Sequence, residues 1–248
     1  MQRYFISNRS ISNGKIKVNE DDFFHMHKVM RMKNHEQVTC VDEDEHVYLC
    51  ELTDAGCPEL TIIQELEEHH ELDVYVRLIY GLPKLDKFEY VIQKCTELGV
   101  SEIVPFLSNR SLIKADENRF IKKLQRYEKI VKEACEQSQR QRLVKIHPPM
   151  HLKEVLQLSA NHQLVAYEEA SRAGECQNFE RCLRLLKPGE ILNIVVGPEG
   201  GFDRDEIAQL QLHGYSACSL GSRILRSETA PVYMMSVIGF YRELKEEL

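Results

Sequence analysis

The rhythm of apolar residues changes once along this chain, near residue 72, and that change constrains the fold more than any other feature of the sequence. Ahead of it, residues 3–6, 15–18, 37–41 and 46–52 are short β-rich pieces, separated by turn material such as Asn13-Gly14 and Asp42-Glu43-Asp44-Glu45. One helical patch, 20–32, interrupts them. This is the pattern of a small barrel or closed sheet. Beyond it, apolar runs at 74–80, 103–107, 164–167, 191–196 and 217–220 alternate with helical spacing at 86–98, 118–139, 151–158, 176–186, 203–213 and 230–247. Strands alternating with helices imply a mostly parallel sheet. The expected architecture is α/β in two domains, 1–71 and 72–248, with the boundary in the acidic, histidine-containing stretch 65–73. Parallel sheets bind ligands beyond the carboxyl ends of their strands, so 81–86, 108–115, 168–175, 197–203 and 221–229 are the loops to inspect.

Composition removes several function classes. A chain of 248 residues, 43% hydrophobic and 29% charged, has a soluble globular balance. No apolar run approaches the ~18 residues needed to cross a bilayer, and the N-terminus lacks the apolar stretch of a secretory signal. The eight cysteines are scattered without a Cys-x-x-Cys pair, so neither a disulfide framework nor a zinc site is legible, and a reducing cytoplasm is the expected compartment. His25 and His27 do not share a helix face and lack nearby ligands, so no metal is expected. A Ser/His/Asp hydrolase is disfavoured by the absence of a G-x-S-x-G elbow. The net charge of −7 divides unevenly: residues 1–71 carry 7 basic against 15 acidic side chains, and 84–145 carry 14 against 9. A uniformly basic nucleic-acid binder is excluded, while a local basic face on the second half is not.

Two loops stand out. Gly197-Pro198-Glu199-Gly200-Gly201-Phe202 follows an apolar strand and precedes a helix opened by Asp203. Its glycines let a backbone approach a ligand closely, and free amides at the helix start can donate hydrogen bonds. It is neither G-x-G-x-x-G nor a P-loop, so nucleotide readings lose their main support. An ordinary strand-to-helix turn fits the spacing equally well. The second loop, Leu220-Gly221-Ser222-Arg223-Ile224-Leu225-Arg226-Ser227-Glu228-Thr229-Ala230, follows the last strand. Its arginines can position an anion or a polar base, but Thr229 serves equally as a helix N-cap, and Arg226 with Glu228 as a solvated ion pair.

In this order and at this separation, the two loops resemble the SPOUT class of methyltransferases. The closer resemblance is to the ribosomal RNA small-subunit methyltransferase E family, which methylates N3 of a uridine (uridine 1498) in 16S ribosomal RNA. Further segments agree: Lys84-Leu85-Asp86-Lys87-Phe88-Glu89, Lys94-Cys95-Thr96-Glu97-Leu98-Gly99-Val100, Ser108-Asn109-Arg110-Ser111, Glu133-Ala134-Cys135-Glu136-Gln137-Ser138 with Arg140, and His25-Met26-His27-Lys28-Val29-Met30-Arg31. The chain departs from the family pattern at His35-Glu36, where Gly-Asp is usual, and at Gln139, where Gly is frequent.

The resemblance implies a PUA-like N-terminal barrel, a C-terminal SPOUT α/β domain with a trefoil knot, and S-adenosylmethionine held by the knotted loops. It implies cofactor contacts from Tyr167, Gly197, Pro198, Glu199, Gly200, Gly201, Leu220, Gly221, Arg223, Ile224, Leu225, Thr229 and Ala230. It also implies a homodimer, with the apolar C-terminal helix at its interface, acting on 16S ribosomal RNA. The RNA contacts expected on this reading are Arg3, Lys28, Arg31, Lys87, Arg110, Gln137 and Arg140, with Lys28 and Arg31 three apart on one helix face. A sulfonium methyl is already a good electrophile, so the reaction requires no metal. Uridine N3 must lose a proton, for which Arg226 is the candidate anion stabiliser and Glu199 or Glu228 the candidate acceptor. Two alternatives stay open: another SPOUT activity on transfer RNA or a ribose 2′-hydroxyl, and a non-catalytic RNA-binding ribosome-assembly protein.

Overall fold

Six strands form the first sheet of the computed structural model: β1 (Arg3–Phe5), β2 (Ile11–Ser12), β3 (Lys15–Lys17), β4 (Gln37–Val41), β5 (Val47–Glu51) and β6 (Glu59–Leu66). Their order is β1-β4-β5-β6-β3-β2, with β1 parallel to β4 and every other pairing antiparallel. Tyr4, Ile16, Met26, Val38, Cys40, Cys50, Leu52 and Leu60 fill the core of this unit. The β4–β5 turn is held by Asp42, whose carboxylate accepts hydrogen bonds from the amides of Asp44 and His46, both at 2.9 Å, and from the Tyr48 hydroxyl at 3.1 Å. The structure describes residues 1–83, 85–111 and 120–245; Lys84, the 112–115 part of the loop expected at 108–115, the expected helix start at 118–119, and 246–248 lie outside the described residues.

Two expectations for this region need correcting. No strand is expected over 59–66, where β6 lies with its last two residues inside the stretch read as a boundary. Only Leu60 in β6 is fully buried, and the register slips between Leu49 and Cys50 on its partner, so no clean alternation marks it. The helix expected over 20–32 is α1 (Glu20–Phe24), N-capped by Asn19, followed by a wider π-helical turn over His25–Val29. Arg31 then adopts a left-handed backbone (φ 53°), so it does not continue the helix face that carries Lys28.

The two departures from the family pattern now acquire a physical meaning. His35 (φ 70°) and Gln139 (φ 59°) both occupy the left-handed region, where a Cβ costs roughly 1–2 kcal/mol. His35→Gly and Gln139→Gly should each stabilise the fold by about 0.5–1 kcal/mol, since glycine returns part of that gain through its freer unfolded chain. Thermal unfolding of the double variant should show a Tm a few degrees above wild type. A Tm at or below wild type would show that the His35–Glu51 and Gln139–Met1 contacts outweigh the backbone cost.

The second sheet is wholly parallel. It contains β7 (Tyr75–Gly81), β8 (Glu102–Leu107), β9 (Lys145–Ile146), β10 (Met150–His151), β11 (His162–Ala166), β12 (Ile191–Val196) and β13 (Ser216–Cys218). Their order is β10-β8-β7-β12-β11-β13, with β9 beside the start of β8. The connecting helices are α2 (Leu85–Glu97), α3 (Leu124–Gln137), α4 (Leu152–Val155), α5 (Glu168–Arg172), α6 (Asn178–Leu185), α7 (Arg204–Leu212) and α8 (Thr229–Gly239). The two-residue strands β9 and β10 and the short α5, which replaces part of the loop expected at 168–175, are too brief to leave a periodic signal. Interior strands such as Leu192–Val196 are buried on both faces, hence their unbroken apolar runs. Contacts group Met1–Glu71 with Cys135–Leu143 as one unit and Leu72–Ala134 with Val144–Leu248 as the other. Among the described residues no helix is long and apolar enough to cross a membrane.

At the amino end of the second sheet, buried Glu102 receives Arg77 Nε at 2.6 Å and hydrogen-bonds His147. Burial pushes this carboxyl up, but the hydrogen bonds and charges of His147 and Arg77 outweigh burial and hold it at about 2. A depressed carboxyl pKa stabilises the fold above its unfolded value, and the benefit disappears as pH falls through the folded value. The cluster should therefore contribute about 3 kcal/mol at neutral pH, lost between about pH 5 and 2. Denaturant titrations of Glu102→Gln should give a shallower acid limb than wild type, and parallel limbs would contradict this assignment.

Candidate active site

Register places one end of the second sheet in a single plane. Val196 of β12 pairs with Tyr80 of β7 and Ala166 of β11, and Ala166 pairs with Cys218 of β13. The loops after β7, β11, β12 and β13 therefore leave the sheet at one level. Together with the end of β8 they enclose a cavity of about 1020 Å³. Its walls come from Tyr167 and α5, the whole of 197–202, the stretch 220–227 with Ala230, and Lys87, Arg110 and Arg204. Six cationic side chains (Lys87, Arg110, Arg172, Arg204, Arg223 and Arg226) and three carboxylates (Glu168, Glu169 and Glu199) line it, with Arg172 paired to Glu168 and Glu169, and Lys87 to Glu199.

Close packing fixes the glycine loop. A Cβ on Gly81 would lie 2.4 Å from Pro198 Cδ and 2.5 Å from Pro198 N, so the end of β7 admits the loop only as glycine. Phe202 drops into the apolar layer with Ile79, Val104, Phe106 and Val195, and its ring limits the space beside Gly197. Gly201 (φ 67°) and Gly221 (φ 99°) need the left-handed region, and a Cβ on either would meet no protein atom within 4 Å. Asp203 caps α7, accepting from the Glu206 amide at 2.7 Å, while Glu206 returns a carboxylate oxygen to the Asp203 amide at 3.0 Å.

One charge cluster joins three elements. Lys87 Nζ of α2 lies 3.0 Å from Glu228 and 3.4 Å from Glu199. Burial raises the Glu228 carboxyl, but its backbone hydrogen bond and Lys87 hold it below the usual carboxylate range. Hydrogen bonding to Glu228 raises the Lys87 ammonium against burial. Burial pushes the Tyr80 phenol well up, opposed by the Ser227 hydroxyl and reinforced by the charges of Glu199 and Glu228, so it keeps its proton.

The family described as RNA methyltransferase domain matches residues 70–239, and that described as RNA methyltransferase PUA domain matches 18–64. The ribosomal RNA small subunit methyltransferase E of Bacillus subtilis (strain 168) is 38% identical over 251 residues, covering 98% of both chains. The chain belongs to the ribosomal RNA small subunit methyltransferase E family. Among solved structures, the Neisseria gonorrhoeae member bound to S-adenosyl methionine aligns over 96% of both chains with a TM-score of 0.83 and 27% identity. A methyltransferase of Legionella pneumophila in complex with the same cofactor aligns over 95% of this chain and 96% of that one, with a TM-score of 0.83 and 26% identity.

Of the residues expected to hold the cofactor of this methyltransferase family, the structure gathers Tyr167, 197–201, Leu220, Gly221, Arg223, Ile224, Leu225 and Ala230 on the one cavity. Thr229 is not among its lining; it opens α8 behind Glu228, its amide bonded to the Arg226 carbonyl at 2.9 Å. Of the three expected catalytic residues, Arg226 and Glu199 line the cavity, and Glu228 reaches it through Lys87.

The expected RNA contacts separate into two kinds. Lys28, Arg31, Arg110 and Gln137 are exposed, and half-buried Lys87 lines the cavity. Arg3 and Arg140 are 1% and 2% exposed and work inside the first unit. Arg3 pairs with Glu68 and donates to the Arg140 carbonyl at 3.1 Å; Arg140 pairs with Glu71. Each buried guanidinium needs a carboxylate partner, and the acidic stretch 65–73 provides both. Sequence reading missed Tyr80, Arg172, Arg204 and Ser227 at the site. Only Tyr80, next to last in β7, could have been flagged by its place at a strand end; Arg172, Arg204 and Ser227 lie six to nine residues beyond theirs.

Proposed function

We propose that this chain transfers a methyl group from S-adenosylmethionine to N3 of uridine 1498 in 16S ribosomal RNA, in the cytoplasm. The observation that carries this reading is the convergence of 197–202 and 220–230 on one cavity, in a chain of this family. The cavity fits the cofactor. Gly201 and Gly221 line it at places where any side chain would project into open space, and Arg223 and Arg226 offer charge to a carboxylate. Tyr167, Leu220, Ile224 and Leu225 provide apolar surface for a purine.

S-adenosylmethionine bound there supplies an electrophilic sulfonium methyl, which N3 attacks as the carbon–sulfur bond breaks. The protein must align N3 and favour its anion. Exposed Arg226 places a cation in the cavity that stabilises negative charge on the uracil ring. Glu199, which lines the cavity, is the proposed acceptor of the N3 proton or holder of the base. Glu228 is made a weaker base by Lys87, and its role is to fix that lysine.

The same reading includes a trefoil knot in the second unit and a homodimer. Helix α8 buries Ala230, Pro231, Met234, Met235 and Ile238, yet Tyr233, Phe240 beyond it and Leu244 remain exposed at 38%, 58% and 71%. Such apolar surface suits a partner subunit. Exposed Lys28 and Arg31 on the first unit, with Arg110 at the cavity, are the proposed RNA contacts.

Nucleoside mass spectrometry of unmethylated small subunits and 16S RNA incubated with the protein and S-adenosylmethionine should reveal N3-methyluridine at one site. Ribose methylation, modification of transfer RNA instead, or no product would overturn the proposal. Light scattering should show a dimer at micromolar concentration.

A further inference from the structure

The short loop after β8 is clamped by a carboxylate with no obvious chemical duty. Glu206, in the first turn of α7, is 1% exposed. Its two oxygens accept from the Asn109 amide at 2.9 Å, the Ser108 hydroxyl at 3.1 Å and the Asp203 amide at 3.0 Å. Asp203 adds a second tie by accepting from Asn109 Nδ2 at 2.8 Å. A buried carboxylate spent on three neutral donors is a costly way to cap a helix, since Asp203 already caps it. What the arrangement does fix is the backbone leading directly into Arg110.

Arg110 sits on the other flank of the cavity from the 220–230 loop. That loop, Tyr167 and the glycine loop follow the adjacent strands β13, β11 and β12, whereas Arg110 follows β8, beyond β7. A cofactor held by the first three leaves Arg110, exposed on the far flank, for whatever else enters the cavity. Its carbonyl oxygen would lie 2.6 Å from a Cβ on Gly200, so the glycine loop and Arg110 are packed backbone against backbone.

We propose that Glu206 is a positioning residue for the methyl-transfer reaction: it locks Ser108 and Asn109 so that Arg110 meets the phosphate of the incoming RNA beside the target uridine. This rests on the methyltransferase reading given above. The clamp joins the α7 capping box, at the end of the glycine loop, to a substrate-side cation. Placement of that cation within a fraction of an ångström matters because misplacing a contact by about 1 Å can cost 10²-fold in rate.

The test is a double-mutant cycle between Glu206→Gln and Arg110→Ala in the full-length protein. It is read by affinity for a fluorescent oligonucleotide carrying the target uridine, and by KM and kcat on small subunits. Each single variant should weaken RNA affinity and raise KM about tenfold, and the double variant should be no worse than Arg110→Ala. Calorimetric S-adenosylmethionine affinity should stay within about twofold of wild type. Additive losses, unchanged RNA affinity in Glu206→Gln, or an equal loss of cofactor affinity would each overturn the proposal. Should Glu206→Gln fail to fold, Ser108→Ala removes one clamp donor and should show the same non-additivity with Arg110→Ala at smaller size. Wild-type protein that binds the oligonucleotide without forming N3-methyluridine defeats the methyltransferase reading, while the affinity cycle still decides the role of Glu206.

Discussion

Arg226→Ala is expected to lower kcat for methylation of uridine N3 by about 10²–10³-fold, the usual cost of deleting one group aimed at charge developing in a transition state. The neutral uracil keeps its N3 proton, so attack needs negative charge on the ring that the neutral base lacks. Arg226 lines the cavity, is solvent-exposed, and offers a guanidinium to the ring. Its contribution should fall on the reacting base more than on cofactor binding, leaving the S-adenosylmethionine dissociation constant within a few-fold. The variant's rate should also climb more steeply than wild type as pH rises, because hydroxide then supplies the anion that the arginine no longer favours. Arg226→Lys keeps a charge without the planar fork and should fall between the two. Single-turnover rates across pH on small subunits decide the matter. A full rate in Arg226→Ala, or a loss confined to cofactor affinity, would move Arg226 out of the catalytic role.

Parts of this site were legible because they depend on local sequence. Glycines and arginines directly after apolar runs mark strand-end loops whatever the rest of the chain does, and 197–202 and 220–227 line the cavity accordingly. Lys87 was different. Taken as an RNA contact, it puts its ammonium between Glu199 and Glu228, more than a hundred residues further along, and only the parallel sheet brings those loops to α2. Arg3 and Arg140 failed for a related reason. The acidity of 65–73 reads as a solvated linker, and nothing local says that Glu68 and Glu71 turn inward to meet two guanidinia. The helix at 20–32 was lost to backbone detail: a π-helical turn followed by a left-handed arginine leaves no mark on apolar spacing. The first sheet hid β6 because an extra residue within it, Ile63, breaks the alternation that would announce it.

Gly81, packed against the glycine loop, and Gly200, within it, should separate cofactor binding from substrate binding. In Gly81→Ala the new Cβ would start 2.4–2.5 Å from Pro198 Cδ and N, whereas ordinary contacts begin at 3.4 Å. Proline cannot swing aside as a flexible side chain does, so the 197–198 backbone must retreat by roughly 1 Å, enough to cost on the order of 10²-fold where alignment matters. The loss should appear in S-adenosylmethionine affinity, because Gly197 and Pro198 line the cavity beyond β12, the strand next to the one Tyr167 follows. In Gly200→Ala the clash is with the Arg110 carbonyl at 2.6 Å, on the opposite flank. There the shift needed is about 0.8 Å, and Arg110 must move against the grip of Glu206 on Asn109. That variant should raise KM for small subunits about tenfold or more, with a smaller loss of cofactor affinity than in Gly81→Ala. Calorimetry with S-adenosylmethionine, and steady-state methylation of small subunits, should thus give opposite patterns for the two alanines. Melting curves taken alongside would confirm that each remains folded at the assay temperature. If both variants lose cofactor affinity equally, the 197–202 loop moves as one body, and the division of the cavity into a cofactor flank and an RNA flank is wrong.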